Sequence, residues 1–196
     1  MEIDVFRNDK ISISSVEKYS HIILSPGPGL PMDAGIMCEL IKKYGSTKKI
    51  LGVCLGHQAI AEVYGAKLEN MREVMHGVSS QIKILKDCSK NYLFETSPQP
   101  SPKGEGDTNE IFRTVTYIDE KLFSGLPTTI EVGHYHSWIV SENNFPDCLQ
   151  ITSVDSQNRI MSLRHKSHNV CGIQFHPESI LTSYGKEMLS SFINKS

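Results

Sequence analysis

Cys54, His176 and Glu178 are the residues whose types and settings can do chemistry together. Cys54 sits in Gly52-Val53-Cys54-Leu55-Gly56, after the apolar run that starts at Lys49 and before a helix-type run that continues to Ala61. A cysteine between two such runs, in the pattern Gly-x-Cys-x-Gly, is the thiol form of a nucleophile elbow. The sharp strand-to-helix turn lifts the nucleophile off the sheet and crowds the surrounding backbone. Gly52 and Gly56 suit that crowding because they lack a Cβ. The following helix aims its free N–H groups at the sulfur, which predicts a lowered thiol pKa. It also places the Leu55 N–H to stabilise an oxyanion. Taken alone the motif is loose, because free cysteines are commonly inert core residues.

The second half of the chemistry lies 122 positions further on, in His176-Pro177-Glu178 at the end of an apolar strand. Pro177 keeps His176 out of helical geometry. In an extended segment, residues two apart project to the same side, so the Glu178 carboxylate can orient the His176 imidazole. Nucleophile, base and orienter are the parts of thiol-based acyl transfer. His57, inside the elbow helix, reads as structural. His134 and His136, two apart on a strand, could suggest a metal, but no third ligand is in view and no metal is expected.

The elements that must position these groups alternate. The segment Ile3–Phe6 reads as a strand and Ser14–Tyr19 as a short helical turn. The segment His21–Ser25 is a buried-type strand that runs into the rigid loop Pro26–Pro31. Asp33 is the expected N-cap of a helix to about Tyr44. The elbow strand and its helix follow, to about Tyr64. This order predicts an α/β fold with a mainly parallel sheet, whose ligands sit at the carboxyl ends of the strands. Both the Pro-Gly-Pro-Gly loop and Cys54 lie at such ends. Short strands then follow at Ala66–Leu68, Met75–Gly77 and Gln81–Leu85. The stretch 96–109, TSPQPSPKGEGDTN, has almost no apolar side chains and reads as a mobile insertion. Ile111–Ile118 is a candidate β-arm, and Leu122–Pro127 a turn. Extended structure is expected over Glu131–Val140. A hairpin is expected from Leu149–Val154 and Arg159–Arg164, a strand over Val170–Phe175, and a closing helix over Tyr184–Ile193.

With 196 residues, 39% hydrophobic and 21% charged, the chain suits one globular domain spanning 1–196. A net charge of −2 gives no reason to expect nucleic acid or an anionic membrane as partner. No apolar run is long enough for a membrane span, and the N-terminus does not read as a signal peptide. Five scattered cysteines without metal-ligand spacing fit a reducing, cytoplasmic setting.

Five ordered motifs carry a resemblance along nearly the whole chain. SPGPG (Ser25–Gly29), GVCLGHQAI (Gly52–Ile60), MHG (Met75–Gly77), GHYHSW (Gly133–Trp138) and GIQFHPESILT (Gly172–Thr182) resemble the class I, or triad, glutamine amidotransferases. More narrowly, they are similar to the glutaminase subunits of anthranilate synthase and aminodeoxychorismate synthase. The resemblance implies a three-layer, flavodoxin-like domain that hydrolyses L-glutamine to glutamate and ammonia through a cysteine thioester. It assigns catalysis to Cys54, His176 and Glu178. It assigns glutamine binding to Gly27, Pro28, Gly29, Leu55, Gln58, Ser137 and Trp138. The implied partner is a separate chorismate-using synthase subunit that makes anthranilate for tryptophan, or aminodeoxychorismate for folate. No cofactor is expected in this chain, and magnesium is expected in the synthase subunit. Against the family pattern, the first strand and helix expected before Ile3–Phe6 are not seen, and the region around Cys88–Ile118 is longer. His134 stands where Arg is usual, and Trp138 replaces a smaller apolar residue. Two other readings stand beside this one: a truncated, non-catalytic binding or regulatory subunit, and a cysteine hydrolase of another kind.

Overall fold

The computed structural model describes residues 2–85 and 121–194. The 96–109 insertion and the Ile111–Ile118 arm therefore lie outside the described residues. Seven strands form one sheet: β1 (His21–Leu24), β2 (Lys49–Val53), β3 (Leu68–Ile84), β4 (Thr129–Val140), β5 (Leu149–Asp155), β6 (Ile160–His165) and β7 (Val170–Ile173). Their order is β1-β2-β7-β6-β5-β3-β4. Helices α1 (Met37–Tyr44) and α2 (Leu55–Val63) cover one face, and α3 (Gly185–Asn194) covers the other.

Alternation along β2 shows how the layers divide. Ile50 packs with Leu40, Ile41, Ala59 and Ile60 under α1 and α2. Leu51 and Val53 point the other way, toward Met188 and Phe192 of α3 and toward Phe123. Helix α1 buries Met37, Leu40, Ile41 and Tyr44, one stripe at helical spacing. Each such buried side chain contributes roughly 1.5–3 kcal/mol of transfer free energy.

The expectation of a mainly parallel sheet holds only where the chemistry sits. β1, β2 and β7 run parallel, with Leu24 beside Gly52 and Val53 beside Ile173. The remaining four strands join antiparallel. The reason is connectivity: helices link β1 to β2 and follow β2, whereas β5 and β6 form a hairpin. The three short strands expected between Ala66 and Leu85 are one strand, β3. It follows β4 through two register shifts, the second beside Gly77 at φ +68°.

Two N-terminal expectations also change. Ile3–Phe6 forms no strand, because no ladder partner among the described residues runs alongside it; Ile3, Val5 and Phe6 are exposed. This segment is tied instead by the Tyr19 hydroxyl, which donates to Asp4 Oδ2 at 2.5 Å. Together with β1 and the start of α1 it surrounds an open cavity of about 550 Å³. Asp33 does not cap α1. It ends a separate 3-10 turn, Pro31–Asp33, and α1 starts at Met37 without a side-chain cap.

Candidate active site

The elbow is built as its sequence requires. β2 ends at Val53, and α2 begins at Leu55. Between them Cys54 has φ 52° and ψ −99°, a left-handed backbone on a residue that carries a side chain. Such a conformation costs about 1–3 kcal/mol and persists only when its surroundings over-determine it. The surroundings do so through close contact. A Cβ on Gly52 would lie 2.3 Å from the Gly56 carbonyl carbon, and one on Gly56 would lie 2.4 Å from the Leu24 carbonyl oxygen. The Cys54 N–H donates to the Ile173 carbonyl at 2.9 Å, pinning the turn to β7.

Because β7 is the parallel neighbour of β2, the segment that follows it emerges beside the elbow. β7 stops at Ile173, two residues earlier than the sequence suggests, and Gln174 and Phe175 are fully buried. His176 Nδ1 then meets Glu178 Oε1 at 2.8 Å. The imidazole is mostly covered and the carboxylate about half exposed. The residues after this pair lash it to β4. The His176 N–H donates to the Gly133 carbonyl at 3.1 Å. The Thr182 hydroxyl donates to the His176 carbonyl at 2.5 Å, and its oxygen accepts from the Gly133 N–H at 2.9 Å. The Tyr135 ring meets the imidazole edge-on, with centroids 4.9 Å apart. His176 Nε2 is buried and makes no hydrogen bond among the described residues. Base and orienter are thus joined, while sulfur and base are not hydrogen-bonded to each other.

The electrostatics of the thiol differ from the expectation. Burial pushes Cys54 up to about 11 from an ordinary 9.0; the Leu55 N–H opposes this, and the Glu178 charge adds to it. One helix N-terminus is too small a term to offset removal of the sulfur from water. Burial likewise holds His57 down to about 4, and His134 and His136 to about 4 and 3. His134 and His136 belong to a buried chain: Ser80 Oγ meets His134 Nε2 at 2.8 Å, and His134 Nδ1 meets His136 Nε2 at 3.2 Å.

The expected glutamine-binding residues divide into two groups. Gly27, Pro28 and Gly29 follow β1 in the loop next to the elbow, where a Cβ on Gly27 would lie 3.0 Å from Leu55 Cδ2. All three are exposed, and Gly29 has φ +82°. Across the site, Ser137 and Trp138 lie on β4. The Trp138 carbonyl accepts from Gln58 Nε2 at 2.9 Å. Gln58 is almost fully buried, and the same nitrogen donates to Gln174 Oε1 at 3.2 Å. Its amide donors are therefore committed to the protein. Two residues were missed in sequence: Gln174, whose Nε2 approaches Cys54 Sγ at 3.7 Å, and Thr182. A polar residue inside the apolar strand end Ile173–Phe175 was the available signal for Gln174.

Among the described residues no helix is long and apolar enough to cross a membrane. The family model for class-I glutamine amidotransferases matches residues 1–196. The aminodeoxychorismate/anthranilate synthase component 2 of Bacillus subtilis is 37% identical over 194 residues, 98% of this chain and 83% of that protein. The bifunctional protein TrpGD of Thermotoga maritima is 36% identical over 195 residues, but the chain spans only 28% of its length. Among solved structures, a provisionally assigned GMP synthase protein of Thermoplasma acidophilum superposes with a TM-score of 0.70. It is 23% identical, covering 95% of this chain and 76% of that one, and shows the shared fold. The strained cysteine turn, the His176–Glu178 pair on the adjacent parallel strand and these matches agree: the chain belongs to the class-I glutamine amidotransferase family.

Proposed function

We propose that this chain is a glutaminase subunit that cleaves the side-chain amide of L-glutamine and passes ammonia to a chorismate-using synthase. The observation that carries this reading is the placement of a strained Cys54 elbow and a Glu178-oriented His176 at the ends of adjacent parallel strands. Cys54 Sγ adds to the amide carbonyl as its proton passes to His176 Nε2, the ring nitrogen left without a partner among the described residues. The oxyanion is met by the Leu55 N–H and by the backbone of Gly27–Gly29. His176 returns the proton to the departing nitrogen, which leaves as ammonia, and a glutamyl thioester remains on Cys54. Water, deprotonated by His176, hydrolyses the thioester and releases glutamate and the thiol. Glu178 fixes the imidazole tautomer throughout. Ser137 and Trp138 offer backbone groups to the amino-acid end of the substrate. Gln58 contributes through its carbonyl oxygen, since its amide nitrogen is engaged. Magnesium belongs to the synthase subunit in this reading, and no step on this chain uses it.

Anthranilate is the product assigned to the partner. Aminodeoxychorismate is the second reading, supported by a Bacillus subtilis relative whose name carries both. The test is intact-mass analysis and peptide mapping after incubation with a glutamine-like diazoketone, for wild type and Cys54→Ala. A single adduct on Cys54, absent from the variant, is expected. No adduct in a folded sample with either synthase added would overturn the reading and favour a non-catalytic subunit. Pull-down with each synthase separates the two branches.

A further inference from the structure

Resting on the reading of Cys54 as nucleophile, we propose that Gln174 is a positioning residue whose amide N–H holds the Cys54 sulfur in place. The side-chain amide of Gln174 is fully buried, so both its ends need partners. At one end lies Gln58, at the other Cys54 Sγ. An amide can be turned either way, and a backbone carbonyl decides which. The Trp138 carbonyl only accepts, so it fixes the Gln58 nitrogen toward itself at 2.9 Å. The second hydrogen of that nitrogen then points to Gln174 and requires an oxygen there, 3.2 Å away. The Gln174 nitrogen is left facing the sulfur at 3.7 Å. A carbonyl on β4 thus sets, through Gln58 on α2, which end of Gln174 meets the thiol.

The placement matters because of what else surrounds the sulfur. Among the described residues Gln174 is the side chain that hydrogen-bonds it. Burial disfavours the thiolate, and the Glu178 carboxylate disfavours it further. The ionisable groups around the site are His57 on α2, His134 and His136 on β4, and His176 and Glu178 after β7. The first three are held neutral above about pH 5 by burial and supply no charge to the sulfur. A hydrogen bond from Gln174 stabilises negative sulfur without placing a charge in the site. It also restrains the side chain of a residue whose backbone is strained.

The test reads the thiol itself and does not depend on turnover. The rate of iodoacetamide modification at Cys54 is followed from about pH 7 to 10 by peptide mapping, in wild type, Gln174→Met and Gln58→Met. This window lies below the midpoint of a thiol held near 11, so at each pH the rate reports the thiolate fraction. Methionine keeps the length of glutamine but donates nothing. In Gln174→Met, the rate is expected to be about tenfold slower throughout the window, as for a rise of about one unit in the thiol pKa. Gln58→Met frees the Gln174 amide to turn and is expected to slow the rate the same way by less. A Gln174→Met rate within about twofold of wild type across the window would mean a merely structural role and overturn the proposal, whatever the melting temperature. If Gln174→Met does not fold, Gln58→Met decides: an unchanged rate there overturns it equally. Because wild-type glutamine turnover does not enter the readout, failure of the glutaminase reading shows in the diazoketone experiment instead.

Discussion

Gly56→Ala tests whether close packing of the elbow, rather than the cysteine alone, makes the site. A Cβ at position 56 would sit 2.4 Å from the Leu24 carbonyl oxygen and 2.8 Å from Leu24 Cβ, and real Cβ atoms essentially never come below 3.0 Å. The oxygen belongs to the backbone of β1 and cannot swing aside. Helix α2 must therefore retreat by at least about 0.6 Å from β1. A clash against fixed backbone falls in the upper part of the roughly 1–3 kcal/mol range for overpacking, at about 2–3 kcal/mol. Alanine returns about 1 kcal/mol of helix propensity, which leaves a net loss of about 1–2 kcal/mol. For a domain of this size that is a drop of roughly 2–8 °C in melting temperature. Activity should suffer more. The Leu55 N–H and Cys54 ride on the displaced end of α2, and misplacement by about 1 Å costs up to about a hundredfold in rate. Urea unfolding and glutamine turnover with the synthase present measure the two effects. Gly125→Ala is the control: with φ +82° and no atom of the described residues within 4 Å of an added Cβ, it should lose about 1 kcal/mol and keep its turnover. A Gly56→Ala protein within about 0.5 kcal/mol of wild type and fully active would refute the reasoning.

Two further outcomes follow from the same geometry. Thr182→Val keeps the shape but leaves the Gly133 N–H without its acceptor and removes the hydroxyl that donates to the His176 carbonyl. It should cost about 1–3 kcal/mol in stability and lower kcat at least about tenfold, with KM little changed; equal loss in both parameters would contradict a role in holding His176. The second outcome concerns acid. Burial places the folded-state pKa values of His57, His134 and His136 at about 4, 4 and 3, below the ordinary 6.5. Between those values and 6.5 the unfolded chain binds more protons, so stability rises with pH across this window and is lost as pH falls below about 6.5. Each histidine contributes on the order of 1 kcal/mol to the difference between pH 7.5 and 5.5. Urea midpoints that are unchanged over that interval would show that these rings are not buried as described.

What was legible in the sequence was local, and what was not depended on partners. Gly52, Cys54 and Gly56 announced a turn because residue type and spacing alone dictate how tightly the backbone can fold there. His176 and Glu178 were legible for the same reason, since Pro177 keeps the segment extended. The strand at Ile3–Phe6 failed although its pattern alternates, because alternation describes a face and not a ladder; no neighbouring strand among the described residues supplies the hydrogen bonds. Asp33 failed as a cap because Gly35, at φ +55°, breaks the run and lets α1 restart at Met37. The three short strands merged into β3 because β4 is long enough to pair across its bulges. Gln174 was invisible for a different reason. Its meaning lies in contacts with residues 116 and 120 positions away, which no local pattern encodes.

The thiol is where the local reading and the folded environment disagree most, and the disagreement bears on mechanism. Helix position alone argues for a ready thiolate. Burial wins, and the resting sulfur is held near 11. The surroundings that penalise the thiolate are the same ones that strengthen each donor aimed at it, because water is absent from both accounts. The Leu55 N–H lowers the thiol pKa, and Gln174 donates to the sulfur. Nε2 of His176 is buried and has no partner among the described residues, so it is free to accept the thiol proton. A site so arranged keeps a neutral, poorly reactive thiol until a substrate carbonyl and a proton acceptor are both aligned with it. On this account, resting alkylation of Cys54 at neutral pH should be slow, and glutamine should slow it further, because a filled pocket covers the sulfur and the thioester consumes the thiol; alkylation that quickened with glutamine would contradict the account.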